Sequence, residues 1–436
     1  MGTFVPLFES LQHHSENSNP SMSRQARENL IYIIFAIYTF CDFYTYFGLK
    51  SLVAKRFTKT FTVVYWASSI YIYYSFYRVF SALHEGIFFR ESSYNIYLGL
   101  FLTALVTKVV FTALMMLQDV GLLFTGLFNL VTNPKKPAIP SRRRFLTLAA
   151  TGLAAIPFST MLYGITKGKY NFKISNVKLT FKDLPASFDK FRIVQISDIH
   201  AGSLDSVAAV ERAVRLINDQ SPDLVLFTGD LVNSDKEEIN PYIEAFQKIV
   251  ATHGKFSVLG NHDYYGVPRK AEAQVKAKYW EDFNNKFNQM GFRLLNNENV
   301  AIEKGGQFLR LLGVENWGKA RYFPKEGDID IALADSSADD FCILMSHDPT
   351  HWDEKVLPHS KKIHLTLSGH THGAQFGVNF PGFKWSPIQY RYDRWIGLYE
   401  EKEQYLYVNR GFGFLAFPGR VGMWPEITVF DLERKA

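Results

Sequence analysis

The sequence predicts two parts: a multi-span α-helical membrane anchor, then an α/β domain of four layers (αββα), with two sheets packed between helices. Three observations predict this. Four long apolar runs occupy residues 30–165. From Lys169 onward, short β-rich runs alternate with amphipathic helical stretches. Just past several of those runs stand Asp, Asn and His, residue types that hold divalent metals. The expected divisions are a polar segment at 1–29, a transmembrane part at 30–165 and the α/β domain at 166–436.

The first 29 residues (His13, His14, Ser15, Asn17, Pro20) read as an uneven polar start, and the first apolar run lies too far in for an N-terminal signal peptide. The apolar runs are 30–49, 61–83, 94–131 and 145–165. About 20 residues cross a bilayer core, so the first, second and fourth each fit one span. The third is long enough for one extended span or two short ones. Charge decides between them. The 50–60 connection carries Lys50, Lys55, Arg56 and Lys59; the 132–144 connection carries Lys135, Lys136, Arg142, Arg143 and Arg144. Basic loops stay in the cytoplasm. Both can do so only if an even number of spans separates them, which makes 94–131 a single span. Lys108 and Asp119 then lie near its ends or face other helices. Four spans place the C-terminal domain outside the cytoplasm, at the cytoplasmic (inner) membrane.

Ser141-Arg142-Arg143-Arg144-Phe145-Leu146-Thr147, followed by an apolar stretch, resembles a twin-arginine export signal. Such a motif normally opens a chain, and a basic stop ahead of a helix explains the same residues. Both readings put residue 166 onward on the far side.

The bulk composition agrees with a membrane protein and excludes little else. Of 436 residues, 47% are hydrophobic and 16% aromatic, with a net charge of +6. The basic residues cluster beside apolar runs, so they read as a topological signal, and no nucleic-acid binding is expected. Cys41 and Cys342 sit in apolar surroundings and read as buried thiols without a disulfide.

In the second part, 191–196 reads as a strand leading to Asp198, 206–216 as an amphipathic helix, and 224–227 as a strand leading to Asp230. A helix at 243–251 and a strand at 256–259 follow, leading to Asn261. This β-α-β-α-β order implies parallel strands with helical crossovers. Further strands are expected at 308–313, 341–345, 363–367, 404–408 and 427–430. Chemistry-bearing residues thus fall past the carboxyl ends of strands, where α/β sheets place ligands.

Five blocks carry that chemistry: Asp198-Ile199-His200, Gly229-Asp230, Gly260-Asn261-His262-Asp263, His347, and Gly369-His370-Thr371-His372. They contain no thiol, which excludes a structural Cys–zinc site and suits two divalent ions such as manganese, iron or zinc. Paired ions can clamp the attacking and leaving oxygens of a phosphoryl displacement.

The five blocks, in this order and each behind a strand, resemble the calcineurin-like metallophosphoesterase superfamily over roughly residues 170–435. The resemblance implies roles. Asp198, His200 and His372 would hold one metal; Asn261, His347 and His370 would hold the other; Asp230 would bridge them. A hydroxide between the ions would attack phosphorus, and His262 would protonate the leaving oxygen or stabilise charge. Asp263 and Asp348, each beside a motif residue, are candidate acceptors for metal-bound imidazoles.

Two departures from the family pattern stand out. Gly229-Asp230-Leu231-Val232-Asn233 ends in Asn233 where the family often has an Asp that orients the catalytic His, and Ser234 replaces the Arg of the protein phosphatases. The second argues against a phosphoprotein substrate. Within the family, Gly369 to Gln375 and Tyr407 to Gly413, then Pro418, Arg420 and Pro425-Glu426-Ile427, look like the membrane-anchored bacterial branch, including twin-arginine-exported members and UDP-diacylglucosamine-hydrolase-like relatives. Ala374 stands where Gly is more usual. Arg410 and Arg420 are candidates for a second phosphate contact. The Gly-, Pro- and aromatic-rich stretch 376–424 reads mostly as sheet turns and core aromatics. The insert 264–286, with Arg269, Lys270, Lys276, Lys278 and Trp280, reads as a solvated amphipathic helix or as a cap over the active site contacting a phospholipid headgroup.

The function expected is metal-dependent cleavage of a phosphoester or pyrophosphate bond, with membrane lipids as neighbours and a phosphorylated, lipid-linked or envelope substrate. The alternatives are a membrane-tethered sensor with a degenerate site, and a cytoplasm-facing UDP-diacylglucosamine-type pyrophosphatase.

Overall fold

A computed structural model describes residues 24–85, 93–132, 140–268 and 270–435. The polar segment 1–23, the connections carrying Arg90, Lys135 and Lys136, Arg269, and the side chains of Arg142 and Arg143 lie outside the described residues. The chain divides into two compact units, with the boundary between Thr166 and Lys167.

The helical unit contains α1 (Arg24–Lys50), α2 (Thr58–Glu85), α3 (Ser93–Thr132) and α4 (Pro140–Thr166). The third apolar run is one unbroken helix of 40 residues, about 60 Å long at 1.5 Å per residue. By length and composition, Glu28–Lys50, Ser93–Phe128 and Arg144–Thr166 are apolar enough to cross a membrane. Helix α2 is as long, but its Tyr, Ser and Thr residues make it less apolar than these three. Three charged groups of these helices, Asp42, Lys108 and Asp119, are paired with other helices. Lys108 Nζ lies 2.5 Å from Asp42 Oδ1, which also accepts from Tyr65 Oη at 2.7 Å. Asp119 pairs with the hydroxyl of Tyr44. Such pairing is what makes an ionisable group tolerable among apolar helices.

The second unit is built on two six-stranded sheets. The first runs β1 (Lys173–Phe181), β14 (Glu426–Arg434), β2 (Phe191–Ile196), β3 (Leu224–Phe227), β4 (Lys255–Ser257), β5 (Arg293–Leu294). Strands β2 to β5 are mutually parallel, and β14 is antiparallel to β2. The second runs β12 (Gly397–Glu401), β13 (Gln404–Val408), β9 (Leu365–Ser368), β8 (Cys342–Met345), β7 (Gln307–Gly313), β6 (Glu298–Lys304). Its central four, β13, β9, β8 and β7, are parallel. A separate hairpin joins β10 (Val378–Phe380) to β11 (Phe383–Trp385).

The sheets pack face to face. Phe191, Ile193, Leu224, Leu226 and Phe430 of the first meet Leu309, Leu311, Ile343, Met345, Leu365 and Leu367 of the second in one core. The outer face of the first sheet packs on α5 (Val207–Asn218), α6 (Ile243–Gln247) and α7 (Ala273–Gln289). The outer face of the second packs on α8 (Ile329–Ala332) and a helical turn at Trp352–Val356. The four-layer αββα arrangement expected from the strand–helix alternation is therefore present. Buried parallel strands read as continuous apolar runs because both faces are covered, as in Leu224-Val225-Leu226-Phe227, where every residue is buried.

One local expectation needs correction. The helix expected at 243–251 is shorter: α6 ends at Gln247 after five residues, and a 3-10 helix, Lys236–Tyr242, leads into it. The insert after His262 contains an amphipathic helix, as expected: Tyr279, Phe283 and Phe287 of α7 bury one face in the outer core of the first sheet, and most of the helix's other residues are exposed. Cys41 and Cys342 are free and buried.

Candidate metal centre

The parallel strands deliver their following residues to one edge. Asp198 and His200 follow β2, Asp230 follows β3, Asn261 follows β4, His347 follows β8, and His370 and His372 follow β9. The two sheets are stitched there by buried polar groups. Gln195 Nε2 donates to Ser368 O at 2.9 Å and to Thr228 Oγ1 at 3.0 Å. His347 Nδ1 donates to Thr228 O at 2.7 Å, which leaves its Nε2 facing the other donors.

Two donor groups form, sharing one residue: Asp198, His200, Asp230 and His372 in one, Asp230, His347 and His370 in the other. In the first, His200 Nε2 and His372 Nε2 are 3.0 Å apart, and His372 Nε2 is 3.2 Å from Asp198 Oδ1. Asp230 Oδ2 lies 3.5 Å from His200 Nε2 and 3.1 Å from His347 Nε2, at the junction of the groups. Its other oxygen accepts the His262 amide at 2.8 Å. Asn261 Oδ1 comes within 2.8 Å of His370 Nδ1, which adds an amide oxygen to the second group.

These residues fit a pair of cations. Two buried imidazole nitrogens 3.0 Å apart, flanked by carboxylates, cannot all be satisfied by one shared proton; a cation among them resolves both the lone-pair repulsion and the buried negative charge.

The backbone is strained to aim these side chains. Asp198, His200, Asp230, His370 and His372 all have positive φ, between 47° and 71°. Each such non-glycine residue costs on the order of 1–3 kcal/mol and persists only where its surroundings fix it. Here the fixing bonds are visible. Ile199 N and His200 N both donate to Asp230 O, and His370 N donates to both oxygens of Asp198. Gly229, at φ +93°, allows close approach: a Cβ there would stand 2.6 Å from Gly260 N and 2.9 Å from His347 Nδ1.

Burial lowers the imidazole pKa of His200 to about 3 and of His370 to about 4, and lowers those of His372 and His262. Neutral rings keep a lone pair for an ion. His347 goes the other way: burial opposes its charge, but Asp230 and Asp198 hold it up to about 10. His347 and His262 in turn keep Asp230 ionised against its burial.

The neighbours of the donors differ from sequence expectation in four places. Asn233 does not meet His262 through its amide. Its backbone oxygen lies 2.8 Å from His262 Nδ1, while its side chain turns to Ser203 Oγ at 3.0 Å. The turn after Asp230 is held by Glu238, whose carboxylate accepts from the amides of Asn233, Ser234 and Asp235, and this aims that carbonyl at the imidazole. Asp263 is engaged by the backbone: it accepts four N–H groups, from Gly260, Asp230, Leu231 and Val232. Asp348 Oδ2 does stand 3.5 Å from His370 Nε2. Neither arginine is set out for substrate. Arg410 is buried and paired with Glu426 at 3.1 Å. Arg420 is fully buried, donates to Gly413 O and Met423 O, and reaches His372 Nδ1 at 3.3 Å.

Two tyrosines were missed by sequence reasoning. Tyr392 Oη lies 2.8 Å from His370 Nε2, and Tyr265 Oη accepts from Asn261 Nδ2 at 3.2 Å. The stretch 376–424, read mainly as sheet turns, thus supplies Tyr392 and Arg420 to the shell around the donors. Its aromatic richness was the available signal.

Two family models match the chain. A family model described as "Calcineurin-like phosphoesterase" matches residues 191–374. One described as "Probable Calcineurin-like phosphoesterase, transmembrane domain" matches residues 26–169. The chain is 28% identical over 300 residues to a transmembrane protein with metallophosphoesterase domain of Danio rerio, covering 67% of this chain and 63% of that protein, less than two thirds of its length. It is 29% identical to the metallophosphoesterase YkuE of Bacillus subtilis, covering 67% of this chain and 98% of the relative. A Helicobacter pylori metallophosphoesterase is 29% identical, with 67% and 73% covered.

Proposed function

Because the chain belongs to the calcineurin-like metallophosphoesterases and carries their transmembrane domain ahead of the catalytic one, we propose that it is a dinuclear phosphohydrolase acting on a lipid-linked or envelope phosphoester or pyrophosphate at a membrane surface. It is a metal-dependent phosphoesterase and a membrane protein. The observation that carries the proposal is the position of Asp230 Oδ2 between His200 and His347, at the junction of the two donor groups.

Asp198, His200 and His372 would hold one ion, and Asn261, His347 and His370 the other, with Asp230 shared. Manganese, iron or zinc suits these donors. Bound ions would lower the pKa of a water held between them and neutralise charge on the phosphate oxygens. The residues of the chain do the rest. His262 gives its Nδ1 hydrogen to Asn233 O, because a carbonyl can only accept, so proton transfer falls to Nε2. Burial favours its neutral form; an anionic phosphate beside it favours the proton. An entering substrate thereby arms the acid. Asn233 O stabilises imidazolium less than a carboxylate would, so this enzyme relies on the substrate's own charge.

The basic connections flanking the apolar runs support a four-span, multi-pass protein of the cytoplasmic membrane with its catalytic domain outside. A C-terminal alkaline phosphatase fusion should be active and a C-terminal fluorescent fusion dark; the reverse pattern rejects that topology. For the chemistry, the full chain with manganese should hydrolyse bis(p-nitrophenyl) phosphate, and His262→Ala should lower kcat by about 10²–10⁴. Equal turnover by both would remove His262 from the reaction.

A further inference from the structure

The hairpin β10–β11 belongs to neither sheet. Its register pairs Val378 with Trp385 and Phe380 with Phe383. Paired residues, and residues two apart, share a face of a ribbon. Val378, Phe380, Phe383 and Trp385 therefore form one face, with the two Phe rings 5.4 Å apart. Asn379 and Lys384 form the other. The Lys384 ammonium folds back onto the domain, over Tyr399 at 5.0 Å and Trp395 at 5.6 Å. Apart from that contact Asn379 and Lys384 are exposed, and on the opposite face Val378, Phe380 and Phe383 are exposed as well. Phe380 is 56% exposed and Phe383 52%, around a tip of Pro381 and Gly382. A ribbon of two strands is marginal in water by itself, and one showing Val378, Phe380 and Phe383 outward asks for a covering.

We propose that this hairpin inserts its apolar face into the phospholipid surface of the membrane that anchors the chain. Three observations favour lipid over a protein partner. The exposed apolar face amounts to roughly 300–400 Å², under the ~800 Å² a side that a stable protein interface needs. Its chemistry, Phe at the tip with Trp385 and exposed Tyr390 behind it, is that of residues that settle at the bilayer interface. The tether is short: α4, apolar enough to cross a membrane, ends at Thr166, and the domain's first turn begins at Gly168.

The hairpin is also bound to the metal edge. Ser386 Oγ, one residue past β11, donates to Gly373 O at 2.8 Å, directly after His372. Gly377, one residue before β10, donates to Val421 O, next to Arg420. An inserted hairpin fixes the height of the metal centre over the lipid headgroups. The insertion itself stands whether or not the substrate assigned above is correct, and its test does not use turnover.

The full chain is reconstituted singly in nanodiscs of phosphatidylethanolamine and phosphatidylglycerol, with an NBD fluorophore on Phe383→Cys or on Glu303→Cys. Glu303 lies on β6 opposite Phe308, at the sheet end away from the metal edge. NBD emission at Phe383→Cys should be blue-shifted by the apolar surroundings and quenched by about half by shallow spin-labelled lipid, with Glu303→Cys unchanged in both. No quenching at position 383, in a labelled chain whose near-UV circular dichroism matches that of the unlabelled chain, overturns the proposal. So does quenching equal to that at position 303. A blue shift seen only when two chains share a disc overturns it in favour of self-association.

Discussion

Asp263→Asn is the substitution whose cost follows most directly from the geometry. Asp263 Oδ1 accepts from Leu231 N at 2.8 Å and Val232 N at 3.3 Å; Oδ2 accepts from Asp230 N at 3.0 Å and Gly260 N at 2.8 Å. Asparagine keeps one acceptor oxygen and turns an NH₂ toward the other pair of N–H groups. Two buried donors lose their acceptor, at about 1–3 kcal/mol each. Loss of the charge relieves repulsion from Asp230, which offsets part of that. A net cost of about 2–4 kcal/mol remains, and at ~2–4 °C per kcal/mol for a domain of this size the melting temperature should fall on the order of 10 °C. The assay is thermal unfolding of the catalytic domain in the full chain, followed by near-UV circular dichroism, with metal content measured in parallel. Because the same carboxylate fixes Asp230, metal retention should fall as well. A shift of about 2 °C or less, with full metal content, would refute the role of Asp263 as the clamp between the two loops.

Other outcomes follow from the same geometry. His262→Ala should lose about 10²–10⁴ in kcat while keeping its metals; loss of metal would make it a ligand instead. Tyr392→Phe removes the hydroxyl from His370 Nε2 and should weaken one of two ions by about 10–100-fold, read by competition with a chelator; equal weakening of both ions contradicts the assignment. In the metal-free protein His347 is held up to about 10 by its carboxylate neighbours, so it carries a proton at neutral pH. That proton must leave before the ring can ligate. Metal uptake should therefore release protons and weaken as pH falls from 8 to 6, as calorimetry in buffers of different ionisation enthalpy would show; uptake without proton release counts against it.

Much of the site was legible because parallel strands buried on both faces read as plain apolar runs, and their ends mark the ligand edge. Leu224 to Phe227 and Gln404 to Val408 were located to the residue. What stayed hidden depends on pairing across long separations. Strand β14 enters between β1 and β2 from more than 200 residues away, and nothing local to it records that order. The roles of Asn233 and Asp263 were misread because the chain uses backbone groups where side-chain contacts were expected. The positive φ at five of the seven proposed ligands has no sequence mark, since Asp and His are not turn glycines. Arg410 and Arg420 look like phosphate contacts in sequence; burial against Glu426 and backbone carbonyls gives them structural work.

The central claim is that one carboxylate, Asp230, serves two ions. Plasma mass spectrometry on the purified full chain, loaded with manganese and desalted, measures it. Wild type should carry two ions per chain and Asp230→Asn fewer than one. A single ion in wild type, or undiminished metal in Asp230→Asn, would contradict the account.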